Sequence, residues 1–502
     1  MLRVLVFYIF IITLPAQDWP SFGGPNGNFV FITPKPVPSS WSATSGQNIK
    51  WSVDLPETGQ SGLSISGDKI FLTVYEELPA GNELKNSANI EGHCYSKANG
   101  KLLWKCKLPG SKKMKPTCPY GDSTTGTPVT DGKHVWFYNA SGSMGCWTVE
   151  GEKIWFKEWT PRPIDPYTRR YQPIISGDLI YHILPEKEKR DGEKKLWCFL
   201  HAANKLTGKE VWKSEDAVTV HNVPRLTKHQ GKNAIYIARG GPHSAPEKPY
   251  GLSKIDAASG KTIWRYECPK SFATVNQFSG KYAFIMEGAT PHKPSKKTGY
   301  MHLINTEDGS LVKKIPLTQE VSRCKYDSKS KTHIKSTESL QINMVRFSGV
   351  LHKNFYWFVN SNESVARINL DSGKIEMLEV PVHKSENGFI WHKLSIKNDM
   401  LNSRGVFAAG DKRSVLSGWS KGNTRFWPVP TIINDKIYIN ALTGLTYVVN
   451  VNAEELTEKA LLAVNDLGPA GKSWSGNPFS FSDGMIFHRS MKKLYCIQQK
   501  EQ

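Results

Sequence analysis

Two stretches of this chain place proline, histidine, lysine and tyrosine in the same order. RGGPHSAPEKPYG (residues 239–251) and EGATPHKPSKKTGY (residues 287–300) each set Pro-His early, then Pro, Lys and Tyr. Their histidines, His243 and His292, can together bind a metal or a carboxylate, or move a proton, with Arg239 beside the first. The competing reading is a duplicated loop whose histidines are solvated. A third stretch, NSRGVFAAGDKRSVLSGW, combines Asn402, Arg404, Asp411, Arg413 and Trp419. Arginine clamps carboxylate or sulfate with two parallel N–H donors, Asp411 can hold an arginine in place, and Trp419 offers a stacking face. A packed loop with internal ion pairs explains the same residues. TCPYGDSTTGTP contributes Tyr120 and Asp122. Finally, HAANKLTGKEVWK (residues 201–213) is either a cofactor strip, with Trp212 over a ring and Lys209 on an anion, or a plain hairpin.

The elements that would position these groups recur along the chain. YSKANGKLLW, TVEGEKIW, ANKLTGKEVW and IDAASGKTIW end at Trp104, Trp155, Trp212 and Trp264, and GQNIKW ends at Trp51. INTEDGSLVK, INLDSGKIEM and VNAEELTEKALL continue the series. Each is preceded by a Gly, Asp or Asn turn and an alternating or aromatic strand, as in ISGDKIFLTV and INDKIYIN. One unit is therefore four antiparallel strands, and its radial repetition predicts a β-propeller. Eight second strands are present, but the last unit lacks its outer strand. Residues 49–53 are an outer strand without a blade. Together they predict an eight-bladed ring closed by the N-terminal strand, which removes exposed edges.

A unit of G-D followed by an apolar run, then A-x-x-x-T-G-K-x-x-W, resembles the repeat of PQQ-type β-propeller proteins. That family includes quinoprotein alcohol dehydrogenases and the propeller of the outer-membrane protein assembly machinery. DWPSFGGPN (residues 18–26) is similar to the start of many exported members. The resemblance implies an eight-bladed propeller, and one such fold hosts many activities. For the dehydrogenases it also implies a calcium ion beside the quinone, held by acidic and amide groups, with an adjacent Cys-Cys disulfide. This chain has no adjacent Cys pair and no such metal motif, so no cofactor and no metal are expected. PQQ with calcium is the alternative.

The repeated hairpins assign structural roles. Gly100, Gly208 and Gly260 sit where a tight turn needs positive φ. The outer-strand tryptophans pack against a neighbouring blade while the indole N–H finds a carbonyl. A single ligand site has no use for five equivalent tryptophans, which favours the hairpin reading of residues 201–213. In such a ring the short turns share one face, and the long loops and inter-blade connections share the other. The long-loop face is where binding residues are expected. First strands line the channel, and near their starts Gln60, Asp122, Gln172, His221, Asn222, Asn276, Asn343 and Asn477 form a polar funnel suited to a small polar ligand.

The first residues, MLRVLVFYIFIITLPAQ, have a positive start, an apolar run and a small-residue end. They predict a secretory signal peptide over 1–17, an N-terminal extension over 18–48 and the propeller over 49–502. The eight cysteines show no CxxC pairing. Cys94 and Cys106 flank a hairpin and can pair across it, whereas Cys94, Cys146, Cys198 and Cys496 hold similar places in the repeat and read as buried small residues. The formal charge is +20, mostly lysine excess. It favours anionic partners, and export excludes nucleic acid as the natural one. These features predict a monomeric, periplasmic or secreted protein without a membrane span, which binds an anionic polysaccharide or an envelope protein. The alternatives are a PQQ-dependent dehydrogenase and a hydrolase or lyase acting on polysaccharide through Asp122, Asp411, His221 or His243.

Overall fold

The computed structural model describes residues 18–78, 88–112, 122–162, 172–220, 222–241, 245–268, 271–287, 299–342, 349–360, 364–391, 396, 428–469 and 472–500, with backbone alone at 271–276. They form the expected eight-bladed β-propeller, with eight antiparallel sheets in a ring. Blade one is representative: Ser64–Ser66 lines the channel, followed outward by Lys69–Tyr75, Ile90–Ser96 and Leu102–Leu108. The two middle strands lie between neighbouring blades and are buried on both faces, whereas the outer strand alternates exposed and half-buried positions. Middle strands therefore carry near-continuous apolar runs. Cys94, Cys146, Cys198 and Cys496 lie in them as buried free thiols. The pairing of Cys94 with Cys106 does not form: the register sets Cys94 against Trp104 and Cys106 against Gly92, and both thiols are free.

The repeated hairpin also couples each blade to the next. Asn204 accepts from the backbone N–H groups of Leu206 and Thr207, at 3.1 and 3.0 Å, and so shapes the turn that ends on Gly208. Gly208 has φ +68°, and a Cβ there would lie 2.8 Å from the Trp155 ring of blade two. Gly100, Gly260 and Gly309 meet Trp51, Trp212 and Trp264 of their preceding blades in the same way. The indole N–H of Trp51, Trp104, Trp155 and Trp264 donates to the carbonyls of Lys97, Val149, Lys205 and Thr306 in the next blade, at 2.8–3.2 Å. These glycines thus serve the turn and seat a neighbour's indole.

Blade eight closes as the sequence predicts: Ile49–Asp54 pairs antiparallel with Lys493–Ile497, setting Trp51 against Cys496. Features outside the repeat add to the ring. A long hairpin, Thr318–Asp327 with Thr332–Gln341, adds to blade six by running parallel to its outer strand Ile375–Glu379. The N-terminal segment packs into the ring. Trp19 pairs with Ile65, Asp18 accepts from the Ser66–Gly67 turn, and the Pro20 carbonyl accepts from Thr130 N. Val30–Phe31 then adds a parallel strand inside blade seven, against Thr431–Ile433. Phe29 is fully buried and packs with the core of blades six and seven. This segment lies across the short-turn mouth of the channel. Among the described residues no helix is long and apolar enough to cross a membrane.

A methyl group at Gly260 would sit 2.5 Å from the Trp212 ring at φ +73°, whereas Gly231 has φ +78° and no atom within 4 Å of such a group. Gly260→Ala is expected to cost about 2–4 kcal/mol and Gly231→Ala about 1 kcal/mol, read from denaturant midpoints. Equal losses would show that the indole seat adds nothing to the turn.

Candidate functional site

The polar groups at the starts of the first strands bond to one another. Asp122 is buried; its carboxylate accepts from Gln60 Nε2 at 2.8 Å and from the Thr124 amide and hydroxyl at 2.8 and 2.6 Å. Gln60 N donates to Thr124 Oγ1, Thr127 N donates to Gln172 Oε1, and Gln172 Nε2 donates to the Thr125 carbonyl. Asn222 Oδ1 accepts from Ala238 N at 3.1 Å. The bonds of Gln60 and Gln172 sew blades one, two and three together around the axis. Burial raises the Asp122 carboxyl above the usual range, with the Thr124 and Gln60 bonds opposing. A metal or quinone at Asp122 would have to displace these bonds, so the described groups do not fit a quinone–calcium pair there. Among the described residues, no group of three or more His, Cys, Asp or Glu is placed to hold a metal.

Arg489, which the sequence reading passed over, ends the second strand of blade eight. It is fully buried and donates to the Thr73 carbonyl at 2.7 Å and to Ser61 Oγ at 3.3 Å, tying blade eight to blade one. Burial pushes it down to about 10. Arg239 ends the second strand of blade four. Aligning the second strands would have paired the two.

The richest cluster stands where blades three and four meet on the long-loop face. Arg239 is buried and bonds Asp216 at 3.2 Å, the Ser253 hydroxyl and the Pro249 carbonyl. Asp216 also accepts from Ser253 Oγ at 2.7 Å and from Arg265 Nε at 2.7 Å. One carboxylate from blade three thus holds two guanidinium groups of blade four. Arg239 is enclosed, but the Arg265 side chain stays 50% exposed. Beside it, Lys248, Pro249, Tyr250 and Glu267 line an open groove. The Tyr250 ring lies on Gly240, where a Cβ would be 2.1 Å away, and its hydroxyl donates to the Ala245 carbonyl. Beneath the groove Glu247 is fully buried against Arg162, at 3.1 Å. Burial pushes the Glu247 carboxyl up to about 7, against the pull of Arg162.

Across the next seam, His302 Nε2 contacts Glu287 at 2.7 Å and His302 Nδ1 contacts the Tyr266 hydroxyl at 2.8 Å. Burial lowers the imidazole, so it is neutral at pH 7, donates to Glu287 and accepts from Tyr266. Cys268 Sγ lies 3.7 Å from the same Nδ1. The arrangement has the outline of a Cys–His–Glu relay. However, burial pushes the Cys268 thiol up to about 12, which keeps it protonated and weakly nucleophilic. His93 and His201 occupy the equivalent place in blades one and three, and each also bonds a glutamate, at 2.9 and 2.8 Å. This position is therefore a recurrent histidine–glutamate contact within a blade, and His302 also reaches across a seam to Tyr266.

Of the residues singled out in the sequence, Asp122, Asn222 and Arg239 are placed as above. His221, His243, His292, Asn343, Arg404, Asp411, Arg413 and Trp419 lie outside the described residues. Sequence reasoning missed Asp216, Arg265, Glu247 and His302. Their partners come from other blades, and no local spacing announces them.

Glu247 makes the rim pH-dependent. A carboxyl raised from its ordinary 4.5 to about 7 binds more protons folded than unfolded. Its contribution to stability therefore falls as pH rises from about 4.5 to 7 and stays low above that. Glu247→Gln is expected to gain on the wild type by up to about 3 kcal/mol between pH 5 and pH 8 in urea midpoints. The same difference at both pH values would rule this out.

No family model and no curated protein sequence matches the chain. Solved structures do. The quinohemoprotein alcohol dehydrogenase from Comamonas testosteroni is similar with a TM-score of 0.53 at 11% identity, over 97% of this chain and 81% of that one. Quinohemoprotein alcohol dehydrogenase ADHIIG from Pseudomonas putida HK5 is similar at 0.53 and 10% identity, with the same coverage. A europium-containing methanol dehydrogenase gives 0.50 at 9% identity, over 96% of this chain and 98% of that one. At such identities the likeness is one of fold: this chain shares the propeller architecture of these dehydrogenases.

Proposed function

We propose that this chain is an exported binding or scaffolding propeller whose long-loop face takes a polyanionic partner, an acidic or sulfated polysaccharide. The observation that carries the reading is Arg265. Asp216 fixes its Nε at 2.7 Å, while half of the side chain stays open to solvent beside the Tyr250 groove. A guanidinium oriented before the ligand arrives loses little freedom on binding, and a planar fork suits carboxylate and sulfate. Lys213, Lys248 and Lys314 of blades three, four and five are 45–62% exposed in surface ion pairs with Glu186, Glu193 and Glu287, which solvent screens and a polyanion can exchange. The net charge of +20 steers a polyanion toward the surface as a whole. The quinoprotein reading draws on fold likeness alone. Of the groups the polysaccharide-cleaving reading draws on, Asp122 is enclosed by Gln60 and Thr124, and Asp411, His221 and His243 lie outside the described residues.

Binding of the full chain to a panel of sulfated and uronic polysaccharides tests the proposal, with Arg265→Ala and Lys209→Ala compared. Both variants lose one charge, but Lys209 lies in the short-turn hairpin of blade three. Arg265→Ala is expected to weaken binding about tenfold or more, and Lys209→Ala to leave it nearly unchanged. Equal losses would reduce the interaction to net charge. Absence of any glycan binding, together with a cross-linked envelope protein at this face, would replace the polysaccharide by a protein partner.

A further inference from the structure

The other deeply buried arginines have counter-charges or carbonyls. Arg239 has Asp216, Arg162 has Glu247, Arg367 has Glu376, and Arg489 has the Thr73 and Met491 carbonyls. Arg225 is different. It begins the inner strand of blade four and is 4% exposed. Its Nε and Nη1 are buried and meet no hydrogen-bond partner among the described residues. Its neighbours are aromatic faces: Phe29 at 5.1 Å and Phe278 at 5.8 Å from the guanidinium carbon. Burial pushes it down to about 9, which still leaves a cation at neutral pH.

This cation lines a cavity of about 200 Å³ between the inner strands of blades two to four and the N-terminal turn. No Asp or Glu is among the lining residues; the walls are largely apolar, with Phe22, Phe29, Ile174, Ile175 and Leu226 prominent. The turn's own amides are in use, since Gly24 N donates to the Ser21 carbonyl and Gly27 N to the Gly24 carbonyl. Gln172, which also borders the space, is held by Thr127 and Thr125. The cavity therefore offers one strong donor group and an apolar wall.

We propose that Arg225 is the anchor of an internal anion site, distinct from the long-loop face, that takes a small carboxylate with an apolar body. A buried cation without a counter-charge is costly, and a carboxylate answers it with two acceptor oxygens. The apolar body then fills the space beside Phe29 and Ile175. Phosphate or sulfate would need several more donors than the walls supply. The GGPNG turn closes over the site, so ligand binding and the seating of the N-terminal segment are coupled.

The test is calorimetric titration of the full chain with sodium benzoate against sodium chloride at equal ionic strength, with thermal melting in parallel. The wild type is expected to bind one benzoate saturably, and its Tm to rise with benzoate concentration. Arg225→Met is expected to lose the heat and the Tm dependence. Ile175→Phe narrows the cavity, keeps the guanidinium, and is expected to weaken binding about tenfold or more, which decides the matter if Arg225→Met does not fold. Lys209→Ala, with the same loss of charge in the short-turn hairpin of blade three, is expected to bind benzoate as the wild type does. No saturable binding by the wild type, binding of sulfate but not benzoate, or retention by both cavity variants would overturn the proposal.

Discussion

Five of the eight seams depend on one recurrent contact: an outer-strand tryptophan laid on the turn glycine of the next blade, with the indole N–H of four of them capping a carbonyl there. A blade buries little by itself, because both faces of its middle strands belong to its neighbours. The Trp–Gly seat fixes how far one sheet is rotated against the next, and that rotation decides whether eight sheets close. It also explains why two unlike residues travel together in the repeat. The glycine must adopt positive φ and must leave room for a ring at under 3 Å from a would-be Cβ. Each N–H bond adds on the order of 1 kcal/mol. The larger effect is that blades one to five are each positioned against the one before.

With the seams fixed in this way, charged groups can be buried in them at defined partners. Asp216 holds Arg239 and Arg265, Glu247 faces Arg162, and Arg489 spans blades eight and one. Removing one member of such a pair is costly, because the other is left buried and unpaired. These pins give the long-loop face a rigid base, and they hold Arg265 half in and half out of the protein. The same enclosure keeps the Cys268 thiol protonated and His302 neutral, so the seam chemistry orients groups rather than activating them.

The N-terminal segment shows the opposite kind of constraint. It belongs to no repeat, yet Trp19, Phe29 and the strand Val30–Phe31 close the short-turn mouth of the channel. A ring of inner strands leaves an axial space that the repeat cannot fill, because each strand contributes only small steps toward the axis. A single foreign segment fills it unevenly. The cavity beside Arg225 is where that filling stops.

The amino-acid sequence by itself determined the blade count, the hairpin roles of Gly208 and Trp212, and the closure of blade eight by Ile49–Asp54. These are local, repeated patterns of turn chemistry and strand burial, which neighbouring residues encode. It also marked Asp122 and Arg239 as notable without revealing that the protein's own groups enclose them. Only the tertiary structure decided that Arg162 meets Glu247, that Arg225 meets no acid among the described residues, and that the hairpin Thr318–Gln341 widens blade six. The physical reason is that seam partners are set by the rotation between whole sheets. A side chain's partner there lies tens of residues away, 23 for Arg239 and Asp216 and 85 for Arg162 and Glu247, at separations no repeat spacing records.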